Sequence, residues 1–129
     1  MNKIESINDF VVRFANVNGS GSASANNLFA KAIFRLGVPV SPKNIFPSNI
    51  QGLPTWYEVR VNEHGFLGRR GGIDISIAVN SQTLFKDYLE VLPGGYFLYD
   101  STKELPGEFN RDDITLIGIP LTNLCNEEF

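Results

Sequence analysis

Phe10-Val11-Val12-Arg13-Phe14-Ala15-Asn16-Val17 runs directly into Asn18-Gly19-Ser20-Gly21-Ser22-Ala23-Ser24. The first eight residues are almost unbrokenly apolar or β-branched, the pattern of a strand buried on both faces of a parallel sheet. The next seven are small or polar. Apolar residues then recur at Ala25, Leu28, Phe29, Ala32, Ile33 and Leu36, and this spacing of three and four predicts an amphipathic helix. Gly37 follows where a left-handed cap is wanted, and Val38-Pro39-Val40 cannot continue the helix. Strand, small-residue turn and helix make a βα unit with a central strand.

Working outward, Pro39 to Pro54 carries four prolines with little periodicity, so regular structure beyond a short strand is not expected there. Ile45, Phe46, Ile50 and Leu53 should pin it as an ordered surface loop. Trp56-Tyr57-Glu58-Val59-Arg60-Val61 alternates as a half-exposed strand does. Asn62 to Gly65 reads as a turn, Phe66-Leu67 as a short antiparallel return, and Ile73 to Val79 as another core strand. Ser81 can cap a short helix over Leu84, Phe85, Tyr88 and Leu89, ended by Pro93-Gly94-Gly95. Tyr96 to Tyr99 and Ile114 to Ile119 are two further strands. Leu121, Leu124 and Cys125 begin a helical spacing that reaches the last residue, Phe129, after barely two turns. These elements predict an α/β fold: a Rossmann-like open, mainly parallel sheet flanked by helices and incomplete at its C-terminal end.

The 129 residues suffice for one domain over positions 1–129. A hydrophobic fraction of 43%, with ten Phe, supplies enough apolar surface to offset chain entropy. The net charge of -3 is no footprint for phosphate-backbone binding, so nucleic acid is not an expected partner. One Cys and one His cannot form a Cys/His zinc site, and a lone Cys fits a reducing cytoplasm. No apolar run approaches the ~20 residues of a membrane span, and the N-terminus lacks a signal-peptide core, so neither membrane nor export is expected.

Chemistry-bearing motifs are sparse. Gly19-x-Gly21-x-x-Ser24 occupies the place of a dinucleotide loop, yet any tight strand-to-helix turn needs small residues. The acid that anchors an NAD ribose is absent between Leu36 and Asn49, which disfavours a dehydrogenase. There is no Gly-x-Ser-x-Gly elbow. His64 reads as a solvated turn residue beside Glu63, and Cys125 as a buried small hydrophobe. Arg69 and Arg70, between glycines, can bind a phosphate or a carboxylate, or form an exposed turn.

Two longer strings are more specific. Phe14-Ala15-Asn16-Val17-Asn18-Gly19-Ser20-Gly21-Ser22-Ala23-Ser24-Ala25-Asn26-Asn27-Leu28-Phe29-Ala30-Lys31-Ala32 and Pro39-Val40-Ser41-Pro42-Lys43-Asn44-Ile45-Phe46-Pro47-Ser48-Asn49-Ile50-Gln51-Gly52-Leu53-Pro54-Thr55-Trp56-Tyr57-Glu58-Val59-Arg60-Val61 resemble the gamma domain of the 2-oxoacid:ferredoxin (acceptor) oxidoreductases. The resemblance is to the form that opens the alpha subunit of 2-oxoglutarate-type enzymes. Asn16, Asn18 and Ser20 stand where that family's Gly-x-Gly-Gly-Gln-Gly loop has its first two Gly and its Gln, while Gly19 and Gly21 are kept.

The resemblance implies a non-catalytic structural and docking domain of an enzyme that decarboxylates a 2-oxoacid oxidatively, 2-oxoglutarate above all, with coenzyme A and ferredoxin. It implies that the chain is the front part of a longer alpha subunit, packed on an alpha catalytic domain and a beta subunit. Thiamine diphosphate, Mg and iron–sulfur clusters would belong to the whole complex, with no cofactor and no metal held by this segment. The residues expected to contact a ligand or a partner are Asn16, Asn18, Gly19, Ser20 and Gly21 in the first loop, Asn44, Asn49, Gln51 and Trp56 in the proline-rich segment, and Arg69 and Arg70, with Lys43 as a further phosphate contact. A freestanding Rossmann-like nucleotide-binding or scaffold module is the competing reading.

Overall fold

The computed structural model describes residues 8–16, 22–45, 55–66, 68 and 71–128. Its elements are β1 Asp9–Asn16, α1 Ser22–Arg35, β2 Val40–Ile45, β3 Thr55–Asn62, β4 Ile73–Ala78, α2 Leu84–Leu89, β5 Val91–Asp100, β6 Thr115–Ile119 and α3 Leu121–Glu128. The six strands form one sheet in the order β2-β3-β1-β4-β5-β6. β4, β5 and β6 extend the sheet parallel to β1, and β3 lies antiparallel between β1 and β2. Five strands therefore point one way and β3 the other, so the expected open, mainly parallel α/β sheet is present with one reversed strand, second from its edge. Gly37 closes α1 at φ 85, as its position after the last apolar residue predicts.

Each face of the sheet has its own core. On one face, Phe10 and Phe14 of β1 and Tyr57, Val59 and Val61 of β3 pack beneath Ala30 and Ile33 of α1. On the other, Ala78, Phe97 and Tyr99 meet Leu84 and Tyr88 of α2 together with Leu105, Phe109 and Ile114. Leu105 and Phe109 belong to the stretch between β5 and β6, and Ile114 immediately precedes β6. That stretch folds back because Phe109 nests against Tyr88, with ring centroids 4.8 Å apart.

Several expectations are corrected. β3 is not half-exposed: Trp56, Tyr57, Glu58 and Val59 are all buried. Alternation misled because its polar residues are neutralised in place, Glu58 by Arg13 at 3.0 Å and Arg60 by Asp9 at 2.6 Å. Trp56, expected beyond the strand ends, is 4% exposed inside β3. The antiparallel return at Phe66 is a turn and an irregular segment, Leu67 lying outside the described residues, and β4 pairs parallel with β1 instead. The short strand allowed for in the proline-rich segment is β2, which tolerates Pro42 at the sheet edge; residues 46–54 lie outside the described residues.

Thr83, not Ser81, holds the N-cap position of α2. The helix ends at Leu89, and Pro93-Gly94-Gly95 belongs to β5. There the register jumps from Ile73 opposite Val91 to Ile75 opposite Tyr96. Gly94 takes φ 87 and donates its N–H to the Asp113 carbonyl at 2.6 Å rather than to β4. The glycines thus make a bulge inside the strand.

Candidate functional site

The chain leaves β1 through α1 toward β2, while β4 lies on the other side of β1, so the carboxyl ends of β1 and β4 form the switch point where open α/β sheets bind ligands. Three buried asparagines meet there. Asn26 of α1 donates through Nδ2 to Asn16 Oδ1 at 2.7 Å, and Asn80, just past β4, donates through Nδ2 to the Asn16 carbonyl at 3.0 Å. Asn80 Oδ1 in turn accepts the Gln82 N–H at 3.0 Å. All three are less than a tenth exposed, so the amides satisfy one another as buried polar groups must. The knot ties β1, α1 and β4 together on either side of segment 17–21.

Of the sequence-expected site residues the structure describes Asn16, whose side chain is spent on Asn26, Trp56, which is buried in β3, and Lys43 and Asn44, which are exposed on the edge strand β2. Asn18, Gly19, Ser20, Gly21, Asn49, Gln51, Arg69 and Arg70 lie outside the described residues. Asn26 and Asn80 were not singled out from sequence. The available signal was Asn26 itself, a poor helix former in the body of α1 at a position facing the sheet.

Two recesses, each of about 440 Å³, flank the knot at the same end of the sheet. One has an apolar floor of Ala78, Leu84 and Leu105 under a rim that includes Asp100 and Lys103. The other lies between α1 and β2 and is lined by Ser24, Asn27, Pro42, Asn44 and Tyr57.

Asp100 also starts α3. Pro120, immediately before the helix, has no capping side chain. Asp100 instead accepts the Thr122 N–H at 3.3 Å and the Thr122 hydroxyl, while Thr102 Oγ1 accepts the Asn123 N–H at 3.3 Å. The Thr122 hydrogen bond foremost, with those from Thr102, holds the Asp100 carboxyl down at about 2. A carboxyl depressed in the folded state stabilises above its ordinary value and loses that contribution as pH falls through about 2. Asp100→Asn should therefore fray α3 at neutral pH, read as lost amide-exchange protection at Thr122 and Asn123, and match the parent below pH ~2. Equal protection at neutral pH would remove Asp100 as the cap.

On the α2 face, Trp56 Nε1 and Thr83 Oγ1 both donate to Asp87, at 2.7 and 2.8 Å, and Arg13 bridges Glu58 and Glu90. Burial pushes the Asp87 carboxyl up, against the two hydrogen bonds and the Arg13 charge that pull it down. None of these side chains lines either recess; they bind α2 to β1 and β3. His64 is an exposed turn residue 3.2 Å from Glu63. Cys125, expected to be buried, is exposed on α3. Leu121 and Leu124 on the same helix are 36% and 44% exposed, so among the described residues its apolar stripe is not covered.

The order of strands and the flanking helices define a Rossmann-like α/β domain, with the asparagine knot and two recesses at the carboxyl end of its sheet. A family profile for pyruvate ferredoxin/flavodoxin oxidoreductase matches residues 11–129, and the chain belongs to that family. It is 30% identical over 82 residues to subunit alpha of 2-oxoacid:ferredoxin oxidoreductase 2 from Aeropyrum pernix, a match covering 64% of this chain and 13% of that relative. A solved 2-oxoglutarate:ferredoxin oxidoreductase from Magnetococcus marinus, with 2-oxoglutarate, coenzyme A and succinyl-CoA bound, superposes on 95% of this chain and 22% of its own with a TM-score of 0.81 and 25% identity. The oxoacid ferredoxin oxidoreductase gamma subunit from Geobacter sulfurreducens shares the fold at a TM-score of 0.70 and 20% identity, over 92% of this chain and 66% of that one. The chain thus spans only a fraction of these relatives' length.

Proposed function

We propose that this chain is the gamma-type structural and docking domain of a cytoplasmic 2-oxoacid:ferredoxin oxidoreductase that carries out coenzyme A-dependent oxidative decarboxylation of 2-oxoglutarate. The observation that carries the reading is the likeness to the 2-oxoglutarate enzyme across nearly the whole of this chain. In this reading the chain continues into, or assembles with, an alpha catalytic domain and a beta subunit that delivers electrons to ferredoxin. The segment 17–21 and Arg69, Arg70 and Lys43 help to enclose coenzyme A, and Asn49 and Gln51 contact the catalytic part.

The chain's own residues do not fit the family's cofactors. A four-thiolate cluster needs four cysteines and the sequence has one. Among the described residues no three His, Cys, Asp or Glu side chains gather where a metal ion could be held. We assign thiamine diphosphate, Mg and the clusters to the rest of the complex, as the family resemblance implies. No helix among the described residues is long and apolar enough to cross a membrane.

A bare sheet face supports docking. On the α1 side, register places Ile75 and Ile77 of β4, Leu98 of β5 and Ile117 of β6 in one row, yet α1 packs on β1, β2 and β3. All four side chains are partly or largely exposed. Right-handed crossovers from β4 to β5 and β5 to β6 put their connections on the opposite face. In the assembled enzyme, Ile117→Asp should displace the domain and lower coenzyme A-dependent viologen reduction with 2-oxoglutarate by about tenfold or more, since a charge buried without a partner is costly. The isolated chain should show no reduction and keep its thermal midpoint. Full activity of the variant complex, or activity of the chain alone, would overturn the assignment.

A further inference from the structure

Asp87 is 1% exposed, and its two oxygens are held by groups of different chemistry. Oδ1 accepts the Trp56 indole N–H at 2.7 Å and Oδ2 accepts the Thr83 hydroxyl at 2.8 Å. An indole nitrogen can only donate, whereas a hydroxyl donates or accepts. A proton arriving at Asp87 is therefore steered to Oδ2, where it reverses the bond to Thr83: the acid donates and the hydroxyl accepts. Charged groups surround this carboxyl on the elements packed against it. They are Arg13 on β1, Glu58 on β3, Glu90 at the end of α2, and Lys86 on α2, which lies over the Trp56 ring at 4.4 Å. Asp74 of β4 holds the Val11 N–H. Burial, helped by Glu90, raises Asp87 above the ordinary 3.8 against Arg13 and the two hydrogen bonds, so the folded chain takes up this proton before an unfolded one would.

Thr83 joins Asp87 to the asparagine knot. Its N–H donates to the Asn80 carbonyl at 3.3 Å. Asn80 Nδ2 holds the Asn16 carbonyl, and Asn16 Oδ1 is held by Asn26. A Thr hydroxyl freed from its acceptor at a helical turn can donate to the carbonyl three residues back, and for Thr83 that carbonyl is Asn80's. The hydrogen bonds thus run without a break from Trp56 through Asp87, Thr83 and Asn80 to Asn16 and Asn26, and all six residues are less than a tenth exposed.

We propose that Asp87 is a proton switch that alters, through Thr83 and Asn80, how the carboxyl end of β1 is held at Asn16. With Asp87 ionised, the Thr83 hydroxyl points its hydrogen at Oδ2. With Asp87 protonated, the hydroxyl accepts from the acid and turns its hydrogen to the Asn80 carbonyl, which changes the grip of Asn80 on Asn16. The Thr83 hydroxyl is the element with two discrete arrangements that such coupling needs. The switch requires no docked complex, so its outcome is separate from that of the oxidoreductase assignment.

The test is a nuclear magnetic resonance pH titration of the chain that follows the indole N–H of Trp56, the single Trp, and the side-chain amides of Asn16 and Asn80. All should move with one shared midpoint above 3.8. Asp87→Asn should abolish that transition and hold the asparagine signals near their acid positions at every pH, because a carboxamide accepts from the indole and donates to Thr83 as the protonated acid does. Thr83→Val should leave the indole titrating while the Asn16 and Asn80 signals lose the transition, and Thr83→Ser should restore it. Asparagine signals that stay still through the indole transition of the parent would overturn the proposal, as would a transition that survives at Asn16 and Asn80 in Thr83→Val. Loss of the folded spectrum before any indole shift would overturn it too.

Discussion

Replacing Gly95 with alanine is expected to cost the domain about 3 kcal/mol, at the upper end of what overpacking a core usually does. An added Cβ would stand 2.6 Å from the Asp74 carbonyl oxygen, 2.7 Å from Val91 Cγ1 and 2.9 Å from the Leu92 carbonyl oxygen. Two of those three atoms are backbone. Asp74 lies in β4 and its carboxylate accepts the Val11 N–H of β1 at 2.8 Å. Relief of the clash therefore means moving a strand whose own side chain helps to fix the central one. Gly107→Ala is the control: nothing lies within 4 Å of its added Cβ, so a change within about 0.5 kcal/mol is expected. Urea denaturation should show a lower midpoint for Gly95→Ala with the slope retained. Coincident midpoints for the two variants would mean that the bulge yields freely.

Arg13→Met is expected to cost about 3–5 kcal/mol, the usual consequence of removing one partner from a buried ion pair. The Arg13 and Glu58 side chains are 14% and 11% exposed, and the same guanidinium reaches the half-exposed Glu90. Without it, two carboxylates face each other beside a third, Asp87, whose pKa Arg13 lowers and Glu90 raises. Much of the loss should come from the stranded Glu58, so Arg13→Met combined with Glu58→Gln should recover part of it. Equilibrium unfolding of the parent, the two single variants and the double variant closes the cycle. Additive costs would show that the pair contributes as two separate side chains.

The first βα unit was legible because its physics is local. A run apolar on both sides can only be a doubly covered strand, and Gly37 at φ 85 is the cap that the helical spacing asks for. Non-local facts were not legible. Glu58 and Arg60 look like a solvent-facing row until strand order brings Arg13 and Asp9 beside them. Pro93-Gly94-Gly95 carries the composition of a helix terminator. Its place inside β5 depends on the Asp113 carbonyl, which arrives from a later part of the chain. The asparagine knot joins positions 16, 26 and 80, and no spacing rule links those three. In the candidate site, sequence singled out Asn16 at the end of β1 and the glycines after it, and those glycines lie outside the described residues. The recess lined by Tyr57 needed β3 to reverse, which an alternating pattern does not encode.

The placement of β1 has a further consequence, for how the chain comes together. Its partners on β3 lie 39 to 53 positions away in sequence, from Asn16 with Thr55 to Asp9 with Asn62, and Val12 meets Ile75 at a distance of 63. Pairings this remote slow two-state folding. During synthesis at about 5–20 residues per second, the most apolar strand waits on the order of 3–12 s between emerging and meeting its partner on β4. Until β3 emerges both its edges are unpaired, and until β4 emerges one of them still is, the condition in which strands from different chains find one another. Nascent-chain crowding and temperature should therefore govern the yield of folded domain more than its final stability does.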